Sequence, residues 1–125
     1  MVTVRVRRDS ILSLRHGLDV LAILIIAFAT IPLHEAWHKV SLLIMGAKGS
    51  VEDWGCYGPF DHGFCGFALS PAQFGWFCLA GGLGVFFTYM ALWLLIRNRL
   101  WLTGWVLLGV ALQQLAYGIW EWRAA

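Results

Sequence analysis

Two long stretches without a charged side chain constrain the fold of this chain more than any other feature. Residues 74–96 and 100–120 contain no Asp, Glu, Lys or Arg, and a third apolar stretch, 20–47, is interrupted once. A helix needs about 20 apolar residues to cross the hydrocarbon core of a bilayer. The pattern therefore predicts an all-α integral membrane protein with three transmembrane helices, at residues 20–47, 74–96 and 100–122.

The composition supports the same class. Of 125 residues, 60% are hydrophobic and 13% are charged. A domain of this size buries too little surface to hide so much apolar material from water. The lipid bilayer is therefore the expected partner of a single membrane domain, 20–125, which follows a basic segment, 1–19. The net charge of +2 gives no indication of nucleic-acid binding.

The basic residues predict the topology. Four arginines lie within the first 15 residues, and Arg97 and Arg99 lie between the second and third apolar stretches. Cytoplasmic connections of membrane proteins carry an excess of Lys and Arg. We expect the chain to lie in the inner (cytoplasmic) membrane of a prokaryote, with the basic ends of its helices on the cytoplasmic side. Its N-terminus would be cytoplasmic, and loop 48–73 and the C-terminus would lie outside.

The loop between the first two helices is rich in glycine. Apolar residues alternate with its glycines, which favours an ordered hairpin or a re-entrant segment over a disordered linker. Cys56 and Cys65 bracket a short turn within it. In an oxidising compartment these two residues could form a disulfide; two free thiols are the alternative.

The interruption in the first apolar stretch reads HEAWH. On a helix, His34 and His38 lie one turn apart on the same face, so both imidazoles can reach one divalent metal ion. Glu35, next to the first histidine, can take a proton from a water molecule at the metal, as in zinc peptidases. Ionisable residues are rare inside membrane helices and commonly serve a function there. The motif therefore predicts a metal site.

Two other interpretations of these residues stay open. Glu35 and Lys39 have the i, i+4 spacing of a helical ion pair, so the ionisable groups could pair with one another or with a neighbouring helix. Either His34 or His38 could instead ligate haem or a chlorophyll-type pigment through a ring nitrogen.

The chain resembles the site-2-protease group of intramembrane zinc metalloproteases (M50-type), as a minimal or divergent member. The resemblance rests on HEAWHKVSLLIMGAKGSVE, which starts at His34, and on the glycine-rich helix start LAGGLGVFFTYMALWLL, residues 79–95. It implies zinc ligation by His34 and His38, a general base at Glu35, and a transmembrane peptide substrate unwound near the outer leaflet.

The third zinc ligand of that group is an Asp in an LDG segment on a later helix, and this chain has no LDG segment. Glu121 is the only carboxylate on the third helix, and a carboxylate is a better zinc ligand than an amide. We therefore expect Glu121 as the third ligand, with Gln114 as the alternative. The outer loop offers further candidates, namely Asp53, Asp61 and His62.

Small residues mark the start of the second helix. Gly81, Gly82 and Gly84 follow Ala80, and such spacing permits close helix approach in lipid. We expect this face to pack against the HEAWH helix and shield the metal.

The sequence thus predicts an intramembrane zinc metalloprotease. Alternatively, the chain is a non-catalytic accessory subunit of a larger membrane complex, in which HEAWH forms a structural metal, haem or pigment site. A third possibility is an inactive protease that binds transmembrane helices without cutting them.

Overall fold

The computed structural model describes residues 2–47 and 69–124, with side chains from Ser10 onward. These residues form three α-helices and no strand: α1 is Val2–Ile44, α2 is Pro71–Ile96 and α3 is Trp101–Ala124. Each contains a segment long and apolar enough to span a membrane, from Ser10 onward in α1. The predicted all-α fold with three spanning helices is confirmed. Cys56, Cys65 and the three candidate ligands of the outer loop lie outside the described residues.

Helix α1 starts much earlier than expected. It runs without a break from Val2 through Pro32 to Ile44, so the basic segment is helical and continuous with the first span. Its 43 residues extend about 64 Å at about 1.5 Å per residue. Because the hydrocarbon core is only about 30 Å thick, α1 must extend beyond the membrane.

The end of α1 is set by Gly46, which adopts a left-handed conformation with φ 63°. The amide of Ala47 donates to the carbonyl of Leu42 at 2.9 Å, and the amide of Gly46 donates to that of Leu43 at 3.1 Å. These two bonds form a Schellman motif, which satisfies the last carbonyls of a helix. The helix therefore ends at Ile44, three residues before the expected boundary.

Helix α2 starts three residues earlier than expected because Ser70 caps it. The Ser70 hydroxyl accepts from the amide of Gln73, the Gln73 side chain accepts from the amide of Ser70, and Pro71 is the first helical residue. This reciprocal pair is a capping box. At the other end, the turn at residues 97–100 is so short that α2 and α3 are antiparallel neighbours.

The start of α3 is capped by a side chain from another helix. Leu100, which precedes α3, has no side-chain acceptor for the free amides of the first turn. Asp19 of α1 supplies one: its Oδ1 accepts from the amide of Thr103 at 3.0 Å and from the Thr103 hydroxyl at 2.5 Å. This contact aligns α1 with the start of α3.

Glycines on α2 allow all three helices to approach closely. A Cβ at Gly82 would overlap the backbone of Gln114 and Gly118 on α3, and a Cβ at Gly84 would overlap the indole of Trp37 on α1. Gly81 and Gly84 pack against the HEAWH helix as expected, whereas Gly82 packs against α3. Helix α2 therefore packs between its neighbours with its backbone almost in contact with both.

Two apolar clusters bracket the middle of the bundle. One cluster has a buried core formed by Ile26, Val85, Tyr89, Leu107 and Ala111. The other, nearer the end of α1, is built around Leu42 and Phe77. His34 and His38 lie between these clusters along α1, so the candidate site is enclosed by apolar packing on both sides.

We expect Asp19→Ala to lower the free energy of unfolding by about 1–2 kcal/mol, because the first turn of α3 loses its cap. Thermal unfolding in detergent measures this change. Asp19→Asn is the matched control, since an amide oxygen can still accept from Thr103 and should retain most of the stability. Equal stability of Asp19→Ala and the wild-type chain would contradict the assigned cap.

We expect Gly82→Ala to destabilise the bundle by about 1–3 kcal/mol, the usual cost of overpacking, because the clashing atoms belong to the backbone of α3. Gly109→Ala is the control: a Cβ there has no neighbour within 4 Å. Since Ala is the better helix former, the control should unfold at the same temperature as the wild-type chain or a higher one. Equal behaviour of the two variants would contradict the close crossing of α2 and α3.

Candidate metal centre

The buried polar side chains are concentrated at one place in the bundle. His34, Glu35 and His38 are each 6% exposed, and Gln114 of α3 is buried beside them. Thr103 is the one other buried polar residue among the described side chains. The two imidazole rings lie edge to face, with centroids 4.7 Å apart. A polar centre has therefore formed inside an otherwise apolar bundle.

Each imidazole is held through its Nδ1 atom. His34 Nδ1 lies 3.0 Å from Oε1 of Gln114, and His38 Nδ1 lies 2.7 Å from the backbone carbonyl oxygen of Phe77. The Gln114 amide group donates to Oε1 of Gln113 at 2.8 Å, which leaves its own Oε1 directed at His34. Both partners of Nδ1 are therefore acceptors, so Nδ1 of each histidine donates a proton.

This pattern leaves the Nε2 atom of each neutral imidazole with a free lone pair. Histidines that bind metals commonly donate their other ring N–H to a carbonyl, carboxylate or water, which fixes the tautomer and the ring orientation. His34 and His38 have this arrangement, with partners on α3 and α2 respectively.

Glu121 of α3 directs a carboxylate oxygen toward these two Nε2 atoms. Its Oε2 atom lies 3.2 Å from His34 Nε2 and 4.0 Å from His38 Nε2. In a tetrahedral site with metal–ligand bonds of about 2.0–2.1 Å, neighbouring ligand atoms are about 3.3 Å apart. The His34–Glu121 separation matches this spacing, and the His38–Glu121 separation is about 0.7 Å longer than it.

A cation at this position would be favourably placed electrostatically. Glu121 Oε2 is buried and accepts no hydrogen bond within the described residues when the imidazole protons are on Nδ1, although His34 Nε2 lies only 3.2 Å away. Three electron pairs that converge without a proton or a cation repel one another. A second proton on His34 would satisfy the 3.2 Å contact and leave His38 Nε2 too far away for a hydrogen bond.

Gly81 of α2 borders the same space. A Cβ at this position would lie 2.5 Å from Nε2 of both His34 and His38. The absence of a side chain therefore keeps open a small volume next to the two lone pairs. The donor set, the buried carboxylate oxygen and this opening together fit a metal ion with three protein ligands.

A cleft of about 190 Å³ lies beside the centre, between α1 and α3. Glu35 lines it, and one carboxylate oxygen of Glu35 lies within 4.8 Å of a nitrogen of each histidine. The remaining lining residues are Thr30, Ile31, His34, Gln113, Gln114, Tyr117 and Glu121. A molecule in this cleft would reach the metal position and the Glu35 carboxylate together.

The structure brings together the four residues of the expected site, His34, Glu35, His38 and Glu121. It also gives different positions to the two candidates for the third ligand. Glu121 faces the Nε2 atoms, whereas Gln114 holds the Nδ1 atom of His34. Sequence reasoning missed the orienting role of Gln114, although two adjacent glutamines in an apolar helix were a usable signal. It also missed the Phe77 carbonyl, because every residue has a backbone carbonyl and the sequence does not show which one will accept a hydrogen bond.

Comparisons of the chain with protein-family models, with curated proteins and with solved structures give no match. The functional assignment therefore depends on the chemistry of the site itself.

We expect Gln114→Ala to weaken zinc binding about 10- to 100-fold, the usual effect of removing a hydrogen bond to a metal-binding histidine. Competition with a chromogenic chelator measures the affinity. Gln113→Ala is the matched control because Gln113 contacts the amide of Gln114 and neither histidine directly, so a smaller loss is expected. Equal zinc affinity of Gln114→Ala and the wild-type chain would contradict the orienting role of Gln114.

Proposed function

We propose that this chain is an intramembrane zinc metalloprotease of the site-2-protease type. The observation that carries the proposal is the convergence of His34 Nε2, His38 Nε2 and Glu121 Oε2 within one buried space. Two imidazoles and one carboxylate are a ligand set of catalytic zinc sites, which retain an open fourth position. The HEAWH spacing on α1 and the Glu35 carboxylate in the adjoining cleft support hydrolysis as the use of that position.

The geometry favours a single ion over a haem or pigment. Nε2 of both histidines faces Gly81 and Glu121, and the Gly81 backbone lies so close that even a methyl group would collide there. A planar macrocycle needs a wide open face on its axial ligand. A metal ion needs only the small volume that Gly81 leaves.

In the proposed reaction, each residue has a separate task. Bound zinc would supply Lewis acidity that polarises the scissile carbonyl and acidifies water. Glu35 takes a proton from the attacking water as the water oxygen bonds to the carbonyl carbon. Glu35 then delivers this proton to the amine nitrogen as the C–N bond breaks. Gln114 and the Phe77 carbonyl hold the histidines in place throughout.

The position of the cleft indicates the substrate class. It lies between two membrane-spanning helices, and Ile31 and Tyr117 at its edge are 47% and 41% exposed. The carbonyl groups of an intact helix are hydrogen-bonded within it and surrounded by side chains on a cylinder about 10 Å wide, so an intact helix could not present a peptide bond to Glu35. We therefore propose a transmembrane segment that unwinds locally before cleavage.

The metal site is tested by elemental analysis of the purified full chain. We expect about one zinc per chain, lost in His38→Ala and in Glu121→Gln. His16→Ala is the matched histidine control, because His16 lies on the same helix, is exposed and contacts the Leu12 carbonyl. Its zinc content should equal that of the wild-type chain. Zinc retained in both ligand variants would overturn the assigned site.

Catalysis is tested separately with Glu35→Gln. We expect this variant to keep its zinc and to lose at least about 100-fold of the cleavage rate, the usual contribution of a general base. The measurement uses a transmembrane peptide reporter in proteoliposomes. A zinc-loaded wild-type chain that cleaves no reporter would contradict the protease and favour an accessory subunit with a structural metal. A visible absorption band would favour haem or pigment.

A further inference from the structure

A second cavity lies at the opposite end of the bundle from the metal centre. Its volume is about 220 Å³, and it is formed by the end of α2, the connecting turn and the start of α3. It is lined by Trp93, Arg97, Asn98, Trp101, Gly104 and Trp105. The proposed protease has no task for it.

This cavity carries the positive charge of Arg97, which forms no ion pair with a described side chain. Arg97 and Arg99 are both exposed, and Arg99 also forms no ion pair with any described side chain. The Arg97 guanidinium lies 4.8 Å from the centroid of the Trp93 ring, a cation–π contact that holds the charge at the cavity. Asp19, which caps α3 at this end of the bundle, accepts hydrogen bonds from Thr103 and forms no ion pair with either arginine.

The cavity also lies at the depth of the membrane surface. Helices α2 and α3 are each long and apolar enough to span a membrane, which would place the short polar turn between them at the membrane–water interface. Trp101 and Trp105 are 70% and 58% exposed. Indole rings concentrate at this interface because one side of the ring is apolar and the other donates a hydrogen bond.

From these observations we propose that the cavity binds the phosphodiester headgroup of an anionic phospholipid. The Arg97 guanidinium and the Asn98 amide would donate to the phosphate oxygens, and Arg99 would add attraction to the net negative charge. The indoles of Trp101 and Trp105 would pack against the glycerol and the first methylenes of the acyl chains. The site is independent of the metal centre, so the two can fail separately.

The test uses the full chain in an uncharged detergent, with lipid binding followed by native mass spectrometry and by the shift in unfolding temperature. We expect phosphatidylglycerol to bind and to raise the unfolding temperature more than phosphatidylcholine. Arg97→Gln combined with Arg99→Gln should weaken phosphatidylglycerol binding about 10-fold or more. Arg123→Gln is the matched control, since Arg123 is exposed in the last turn of α3, at the other end of the bundle; its binding should be unchanged.

Trp101→Ala is a second test of the site, because this exposed side chain can be removed without disturbing the bundle. This variant should also bind phosphatidylglycerol more weakly than the wild-type chain. Equal effects of phosphatidylcholine and phosphatidylglycerol would overturn the proposal, because the headgroup charge would then not be recognised. An equal thermal shift with inorganic phosphate would also overturn it, since the lipid would not be required. So would equal losses in the Arg123→Gln control and the double variant.

Discussion

The structure depends on the burial of two histidines, the Glu35 carboxylate and one carboxylate oxygen of Glu121 in a bundle that is otherwise apolar. Each of these groups loses the hydration it would have in water and must regain it from neighbouring atoms. Nδ1 of His34 and His38 is satisfied by oxygens from α3 and α2. Nε2 of both, with the Glu121 oxygen, is left facing a common space. This arrangement holds the three helices in register. It leaves the Nε2 lone pairs and the Glu121 oxygen unpaired, and a divalent cation could bind to all three.

The glycines of α2 allow the side chains of His34, His38 and Glu121 to converge. The side chains of the candidate site come from α1 and α3, so they can converge only if α2, which packs against both, has small residues at the crossing. Gly82 brings the backbone of α2 against α3, and Gly81 opens space beside the imidazoles. At the other end, Asp19 fixes the level of α1 against the first turn of α3. The same helix packing thus sets both the position and the size of the site.

Much of this could be predicted from sequence because the signals were local. The uncharged stretches predicted the three spans, the spacing of His34 and His38 placed them on one face, and Glu121 stood out as the only carboxylate of α3. The helix ends were predicted less well. The end of α1 depends on the backbone conformation of Gly46, and the α3 cap comes from Asp19, which is far away in the sequence. Contacts of these kinds arise only when the chain has packed.

The most direct test of the metal centre is X-ray absorption spectroscopy of the zinc-loaded full chain. The account predicts only nitrogen and oxygen ligands at about 2.0–2.1 Å, with the outer-shell signature of two imidazoles. It also predicts that Glu121→Gln changes the oxygen contribution while both imidazoles remain. A sulfur ligand at about 2.3 Å, or a spectrum with fewer than two imidazoles, would contradict the assignment of His34, His38 and Glu121 as the ligands.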